Sequence, residues 1–502
     1  MTRQISLESL IRVLPQKKHI GALGKTITGI SIDSRAVQPG DVFVCMRGAH
    51  ADGHLFAADA DKKGALAIVC EEEMQGLAGT LVIVPDTRLA LPLLSSTFFG
   101  EPSKELSVVG ITGTNGKTTT SHIVASIFEE NGFRTGIIGT VGYKYAGNEK
   151  TALHTTPESV EFQRTLREIL DSGGRAAVAE ISSHGLYLGR TLETEFDVCV
   201  FTNLTRDHLD FHGSFEEYAD AKLRLFKREF TKFKEGAKGL VNKDDPYGTF
   251  FLEQSSIPVF TFGTKDGSWV KAKNIELGEK GIRFKAEFQQ GIETVCSPLV
   301  GMFNVYNCLA AFGTGLLLGF SPGSIKNGIE KAEGVKGRMD RVEKGQEFAV
   351  VIDYAHTPDA LEGLLKTSRE IWKGKIICVF GCGGDRDRGK REIMGRLASA
   401  HADYSVITSD NPRTEDPSAI MSEIEKGFAG SKAKFEKIED RKAAIERAIK
   451  MARKGDVVLI AGKGHEDYQI VGTERRRFDD REAAAEILKE LGFEKKGSGK
   501  RN

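Results

Sequence analysis

Three features of the sequence predict an α/β fold divided among three domains. The first is a glycine-rich loop, Gly113-Thr114-Asn115-Gly116-Lys117-Thr118, set between an apolar run and a helical pattern. The second is a series of four apolar runs after residue 338, each ending abruptly in a polar cluster. The third is length: 502 residues exceed what one ordinary core accommodates.

The first domain is expected over residues 1–100. Short strand-like runs, Ile27 to Ile32, Val42 to Cys45, Ala67 to Cys70 and Leu81 to Val84, alternate with turn signals such as Gln38-Pro39-Gly40-Asp41. That pattern reads as a small α/β domain.

The second domain is expected over residues 101–337. Leu106 to Ile111 reads as a buried strand, and Thr119 to Glu130 as a helix ended by Asn131-Gly132. Strand, glycine loop, Lys-Thr and helix together form an arrangement that wraps nucleotide phosphates. Loop amides and the helix N-terminus face the anion, the Lys117 ammonium reaches the terminal phosphates, and the Thr118 hydroxyl can hold Mg²⁺. The strict form of the loop requires glycine where Ile111 stands. A bland Gly/Thr turn with a surface lysine is the competing reading, and the strand and helix context argues against it. Further apolar runs at Thr135 to Ile138, Ala176 to Ala179, Val198 to Phe201 and Leu240-Val241 are mostly separated by helical patterns. A P-loop ATPase-like, mostly parallel sheet is therefore expected. Trp269 to Gln289 alternates apolar and polar residues and reads as antiparallel strands.

Two polar clusters of this domain fall at strand C-terminal ends. Glu180 leads into Ser182-Ser183-His184, and Asp207-His208-x-Asp210 follows Thr202-Asn203. Carboxylate and imidazole groups there suit a divalent cation bridging phosphate to substrate. Loop polarity or capping would equally place a single Glu or His at such an end. His208 and His212 also stand four apart, the spacing of a helical zinc pair, although no third ligand stands out.

Lys222 is the residue out of place. Ser214-x-x-Glu217 reads as a capping box. The helix it opens has an apolar stripe of Phe215, Tyr218, Leu225 and Phe226, and Lys222 lies on that stripe. An inward lysine must snorkel, pair with a charge or lose its proton. A neutral amine can also take up CO₂ to form a carbamate, which turns a cation into an anion and a metal ligand.

The third domain, 338–502, is expected to be Rossmann-like. Phe348 to Ile352 ends in Asp353-Tyr354-Ala355-His356, and Ile376 to Phe380 in Gly381-Cys382-Gly383-Gly384-Asp385-Arg386. Tyr404 to Thr408 leads to Ser409-Asp410-Asn411-Pro412-Arg413, and Val457 to Ala461 to Gly462-Lys463-Gly464-His465-Glu466. In an open parallel sheet these ends share one edge, so the four loops predict one cleft. Arg386 occupies the third glycine position of a dinucleotide fingerprint, which argues against NAD. Arg338, Arg341, Arg386, Arg388, Arg391, Arg413 and Lys463 make the region rich in cations. Guanidinium groups pair bidentately with carboxylates or phosphates, and Arg386 and Arg413 stand at strand ends where a substrate would bind.

Composition narrows the function classes. Lys+Arg and Asp+Glu both number 70, so net charge gives no support for broad nucleic-acid binding. No apolar run reaches the ~18 residues of a membrane span, and the N-terminal residues do not look like a secretory signal. Seven scattered cysteines read as buried thiols in a reducing cytoplasm. The polar, basic stretch Lys495 to Asn502 reads as a loose tail.

These motifs, taken together and in order, resemble the Mur ligase family. The resemblance rests on the phosphate loop, Glu180 with Ser182-Ser183-His184, Thr202-Asn203-Leu-x-x-Asp207-His208-Leu-Asp210 and Tyr218-Ala-x-Ala-Lys222-x-x-Leu-Phe226. It extends to Gly301-x-Phe-Asn304-x-x-Asn307, Asp353-Tyr-Ala-His356 and Gly462-Lys-Gly-His465-Glu466.

The resemblance implies an ATP-dependent, Mg²⁺-requiring ligase. It would add meso-diaminopimelate to the D-glutamate γ-carboxylate of UDP-N-acetylmuramoyl-L-alanyl-D-glutamate through an acyl phosphate. It implies catalytic roles for Lys117, Lys222, His208 and Glu180, and metal ligation by Thr118, Glu180 and His208. ATP is expected at Gly113 to Thr119 (Thr119 included), Asn304, Asn307, Arg338, Asp353 and His356. The UDP-sugar dipeptide is expected at Ser34, Thr155, Thr156, Ser182, Arg190 and Lys222, with Lys222 carbamylated to N6-carboxylysine. Diaminopimelate is expected at Arg386, Asp410, Asn411, Pro412, Arg413, Gly462 and Glu466. Arg413 suits the distal carboxylate that lysine lacks, and Glu466 the distal ammonium. A cytoplasmic monomer is expected. The alternatives are the same ligase using L-lysine or another diamino acid, a folylpolyglutamate synthetase-like ligase, and a P-loop ATPase switch that binds a protein.

Overall fold

The structure is a computed structural model that describes residues 3–48 and 51–493. The expected loose tail at 495–502 and the Asp210 side chain lie outside the described residues. The chain forms two compact units. One holds residues 1–271, 286–293 and 307–329, and the other 272–285, 294–306 and 330–502.

The first unit contains a small sheet, Ile5–Ser6 paired with Thr26–Ile27, and two larger ones. The N-terminal sheet runs Lys18–Ile20, Thr80–Ile83, Ala67–Cys70, Asp41–Val44, Gly29–Ser31, parallel except for its antiparallel edge strand Lys18–Ile20. The run expected as one strand from Ile27 to Ile32 is broken into Thr26–Ile27 and Gly29–Ser31. Gly29 faces the Asp41 carboxylate so closely that no Cβ fits there.

The second of the larger sheets places Ser107–Thr112 at its centre, between Ala176–Glu180 and Glu195–Phe201. Thr135–Gly139 lies beyond the first neighbour, and Lys232–Asn242 and Val259–Gly263 beyond the second, all parallel. The central strands are almost wholly buried because helices such as Lys117–Glu130 and Ser159–Asp171 cover the sheet. The core on one face includes Phe162, Leu166, Phe196, Phe226 and Phe201, whose ring stacks on Phe251 at 3.9 Å. Val270–Gly278, Gly281–Phe288 and Gly291–Ser297 follow in the chain, joined by short turns, as the alternating pattern predicts, with residues 272–285 and 294–297 belonging to the second unit.

The second unit carries a sheet in the order Asp340–Arg341, Ala349–Asp353, Val457–Ala461, Ile376–Phe380, Tyr404–Ile407, Lys434–Lys437. All pairs are parallel except the first. The four runs expected to end in chemically dense loops are therefore adjacent and point the same way. Helices on both faces cover them, with separate cores around Leu361, Leu365 and Met394 and around Ile445, Ile449 and Ile487.

Candidate active site

The phosphate loop begins where strand Ser107–Thr112 ends and helix Lys117–Glu130 has not begun. Its two glycines have left-handed backbones, φ +147° at Gly113 and +86° at Gly116. A Cβ at Gly113 would collide with the Thr202 hydroxyl, and one at Gly116 with the Asn307 side chain. Residues 202–205 brace the loop from the next strand end. Asn203 Oδ1 accepts from the Asn115 amide at 2.9 Å, and its Nδ2 donates to the Asn115 carbonyl at 3.0 Å. Thr202 Oγ1 donates to the same carbonyl at 2.6 Å, and the Thr205 amide donates to Thr114 Oγ1. Lys117 folds over the loop, its Nζ 2.8 Å from the Gly113 carbonyl and 2.9 Å from that of Thr114.

Glu180 ends the neighbouring strand with 1% exposure. Its Oε2 accepts from Thr118 Oγ1 at 2.8 Å and from Thr140 Oγ1 at 3.0 Å, and its Oε1 from the Thr140 amide at 2.9 Å. Thr140 Oγ1 also meets Thr155 Oγ1 at 3.1 Å. Gly139 leaves room for this carboxylate, since a Cβ there would overlap it. Thr156 Oγ1 donates to the Glu180 carbonyl and accepts from the Ser182 amide, and Ser182 Oγ caps the short helix Ser183–Tyr187. Arg190 is committed to protein groups: Nε donates to Glu158 Oε1 and NH1 to the Thr156 carbonyl, each at 2.9 Å. Arg88 holds the other Glu158 oxygen at 2.9 Å.

Lys222 lies inward on helix Phe215–Leu223, 1% exposed, as its place on the apolar stripe implies. Its Nζ donates to the Gly113 carbonyl at 2.9 Å, the same oxygen that Lys117 uses, and sits 4.4 Å from the Tyr218 ring centre. Burial pushes its pKa well below the usual lysine range. The nearby Lys117 cation adds to this, and Asp207 partly opposes it. The lysine does not snorkel, and among the described residues it forms no direct ion pair. His208 has a left-handed backbone, φ +54°, at the start of Leu209–His212. Its exposed ring lies 3.4 Å from Asp207 and edge-on to His184. His212 turns to Ser183 Oγ at 3.0 Å. Among the described residues no group of three His, Cys, Asp or Glu side chains could hold a metal ion. The pair that offers oxygen donors at the phosphate loop is Thr118 with Glu180.

Asn307, 5% exposed, accepts from Thr120 Oγ1 at 3.3 Å. Ser34 follows the N-terminal strand Gly29–Ser31 in the same unit, where Lys63 donates to its carbonyl at 2.9 Å. Thr119 lies 8% exposed in the first turn of the phosphate-loop helix.

In the second unit, Asn304 Nδ2 donates to the Val300 carbonyl. The Asp353 carboxylate accepts from the Met339 amide at 2.8 Å and the Ala355 amide at 2.9 Å. Burial raises its pKa, and Arg338 and those two amides partly offset the rise. The Arg338 guanidinium lies over the Tyr354 ring at 4.8 Å, and His356 and His465 also pack on that ring. Burial, then Arg338 and Lys336, hold His465 down at about 4.

The Asp410–Arg413 loop is bound tightly. Asn411 Nδ2 donates to Glu466 Oε2 at 3.0 Å, and fully buried Lys463 donates to Asn411 Oδ1 and Glu466 Oε2, both at 3.2 Å. Burial would raise the Asp410 pKa, but Lys463, Arg441 and the Asn411 amide outweigh it and the carboxyl titrates below its usual range. Gly462, φ +116°, lets the chain pass against Asp410 Oδ2. Pro412 is buried under Gly384. Arg413 NH1 donates to the Gly384 carbonyl at 2.8 Å, and exposed Arg386 donates to the Asp385 carbonyl.

Sequence reasoning named Arg391 without a role. Its 1% exposed side chain clamps Glu415 and Glu423, both at 2.8 Å, and Glu415 in turn accepts from the Asp385 amide. The Arg391 hydrogen bond and that amide hold the Glu415 carboxyl at about 2. A carboxyl depressed on folding stabilises the fold above its unfolded value of about 4.3, and the contribution fades as pH falls through about 2. Glu415→Gln should therefore melt below wild type at pH 6, with the difference narrowing from pH 4 to 2. A difference constant across that range in thermal melts would contradict the assignment.

No local pattern marks Thr140, the Glu158 clamp with Arg88, or the pair Arg441–Asp480. Arg441, with no exposed side-chain area, binds Asp480 at 2.7 Å and the Ala461 carbonyl at 3.0 Å, directly behind Asp410. The Asp440-Arg441-Lys442 start of its helix reads locally as surface charge, so no periodicity betrays it.

Known proteins resemble this chain over most of its length. Family models described as "Mur ligase middle domain", "Mur ligase, glutamate ligase domain" and "Mur ligase family, catalytic domain" match residues 111–315, 337–464 and 26–90. A UDP-N-acetylmuramoyl-L-alanyl-D-glutamate–2,6-diaminopimelate ligase of Syntrophomonas wolfei is 44% identical over 97% of this chain and 99% of its own. The ligase so named in Geobacillus thermodenitrificans is 44% identical over 92% and 95%. A solved structure of a ligase with that name superposes with TM-score 0.70 at 34% identity, covering 98% of this chain and 100% of that one. A MurF structure from Acinetobacter baumannii, at 22% identity and TM-score 0.68 over 92% and 96%, shares the fold. With three α/β sheet domains, a braced phosphate loop and near full-length identity to its relatives, the chain belongs to the Mur ligase family.

Proposed function

We propose that this protein is an ATP-dependent ligase that adds meso-diaminopimelate to the D-glutamate γ-carboxylate of UDP-N-acetylmuramoyl-L-alanyl-D-glutamate in peptidoglycan synthesis. The observation that carries the reading is the 44% identity spanning 97% of the chain to a ligase of that name. The Asp410–Arg413 loop supports it by presenting a guanidinium with one protein hydrogen bond, to Gly384.

The γ-carboxylate attacks the γ-phosphorus of ATP, the bond to ADP breaks, and an acyl phosphate forms. The diaminopimelate amine then attacks the acyl carbon, and the tetrahedral intermediate expels phosphate. Lys117 leaves its loop carbonyls to neutralise the transferred phosphoryl group. Loop amides of Gly113 to Thr118 hold the remaining phosphates, and Asn304, Asn307, Arg338, Asp353 and His356 hold the nucleoside side. The hard oxygen donors of Thr118 and Glu180, 2.8 Å apart, fit Mg²⁺, with His208 as a further ligand. Held there, Mg²⁺ would neutralise phosphate charge. Ser34 receives the UDP end, and Thr155, Thr156, Ser182 and Arg190 the sugar and dipeptide. Arg190 exchanges its hold on Glu158 for the substrate. Lys222 acts as N6-carboxylysine. Arg386, Asp410, Asn411, Pro412, Arg413, Gly462 and Glu466 receive diaminopimelate. The domain limits proposed are 1–100, 101–337 and 338–502, with the protein a cytoplasmic monomer. Among the described residues no helix is long and apolar enough to cross a membrane.

Phosphate release tests the reading. Release should require the UDP-dipeptide and an amino acid together, and a panel should favour meso-diaminopimelate over L-lysine. Release independent of both substrates would overturn it. A folylpolyglutamate synthase structure from Mycobacterium tuberculosis covers 81% of this chain at 16% identity and TM-score 0.62, a likeness of fold alone.

A further inference from the structure

One element outside the assigned groups binds the Asp410–Arg413 loop along its length. It is the hairpin of Tyr468–Val471 and Glu474–Arg477, paired from Tyr468 with Arg477 to Val471 with Glu474. Gln469 Nε2 donates to the Asp410 carbonyl at 2.7 Å and reaches Ser409 Oγ at 3.4 Å. The Ile470 amide donates to Asn411 Oδ1 at 2.9 Å. The Arg413 amide donates to the Ile470 carbonyl at 3.1 Å, and the Gly472 amide to the Arg413 carbonyl at 2.8 Å. Arg413 and Val471 thus form an isolated parallel bridge.

Arg413 itself has a left-handed backbone, φ +50°. An arginine adopts that conformation at an energetic cost, so the surroundings must hold it. Both of its backbone groups are held by the hairpin. Its side chain has one hydrogen bond, through NH1 to Gly384, and the rest of the guanidinium fork has no protein partner among the described residues. The hairpin is otherwise lightly anchored: Tyr468–Val471 is half-buried and Glu474–Arg477 exposed. Tyr468 carries Arg475 on its ring at 3.8 Å and faces buried Lys463 at 5.4 Å, which ties the hairpin to the loop after Val457–Ala461.

We propose that this hairpin sets the amino-acid selectivity of the ligase by fixing the backbone from which Arg413 projects, with Gln469 as a positioning residue. The proposal rests on the reading that Arg413 receives the distal carboxylate of diaminopimelate. A bidentate pair between guanidinium and carboxylate depends on direction, so a loop free to rotate at Arg413 weakens it. Lysine has no distal carboxylate and is indifferent to that rotation.

Gln469→Leu keeps the bulk and removes the donor. The expected result is a KM for meso-diaminopimelate raised about 10-fold, with kcat and the KM values for ATP and UDP-dipeptide unchanged. The preference for diaminopimelate over lysine should fall by the same factor. Gly472→Val is an independent test, because a β-branched residue resists φ of +61° while open space surrounds its Cβ. It should shift the same single constant. An unchanged KM for diaminopimelate, or an equal loss for ATP, would overturn the hairpin's role alone. A wild-type enzyme whose phosphate release ignores diaminopimelate would overturn both the hairpin and the reading it rests on.

Discussion

Lys222→Ala should lower ligase turnover by ~10³-fold or more, the scale seen when one preorganised charge is removed from a water-excluded site. Lys222 is 1% exposed, and burial first, then Lys117, press its pKa well below the ordinary range. Two ammonium groups converge on one oxygen, the Gly113 carbonyl, at 2.8 and 2.9 Å. Like charges so placed favour a neutral amine on the more buried of the two, and a neutral amine still donates to the carbonyl. It is also the nucleophile that CO₂ requires: the amine lone pair forms the N–C bond, one proton leaves, and an anionic carbamate remains. That change of sign would turn repulsion from Lys117 into attraction and would supply an oxygen ligand beside the phosphate loop. Short carboxylic acids added to the alanine variant should therefore restore part of the activity, because they return the lost carboxylate. Turnover assays of the variant with and without acetate or formate read both effects. Full activity without them would remove Lys222 from the reaction.

Arg413→Ala should raise the KM for meso-diaminopimelate by ~100-fold while leaving that for L-lysine nearly unchanged, since losing a charge-assisted bidentate pair costs about 3 kcal/mol. The side chain is placed for this role by a loop whose Asn411 side chain and Asp410 carbonyl are already engaged. Asn411 is satisfied by Lys463, Ile470 and Glu466, and the Asp410 carbonyl by Gln469. Arg413 is therefore the group of this loop with donors to spare. Glu466 accepts from both Asn411 and Lys463 with one oxygen. Steady-state kinetics with each amino acid would check the prediction. Equal losses for diaminopimelate and lysine would show that the arginine supports the loop generally and does not select the carboxylate.

The acid-side behaviour of Glu415 belongs to the same region. Arg391 ties helix Gly389–His401 to Glu415, and Glu415 ties the Asp385 amide, so the loop bearing Arg386 is fixed through one buried cation. Breaking that link at low pH should loosen the loop that bears Arg386.

The parts of this protein that were legible in the sequence are those written in consecutive residues. The phosphate loop is one: strand, two left-handed glycines, lysine and helix follow in a single local stretch, and the structure keeps them so. Lys222 on its apolar stripe is another, because a period of 3.6 residues fixes which side chains face inward. The four strand ends of the third region also read correctly, since a parallel sheet puts all such ends on one edge. What the tertiary structure alone decided are the pairs between distant positions. Thr140 on Glu180, Arg441 on Asp480 and Gln469 on Asp410 join residues 40, 39 and 59 positions apart. Closing a loop costs little more at one such length than another, so separation leaves no mark on local pattern. Buried charges such as Arg441 and Lys463 look like surface charges until packing surrounds them. The sequence thus determined which groups are candidates for the nucleotide and substrates, and the packing decided how each of them is held, because direction and burial exist only once distant strands lie side by side.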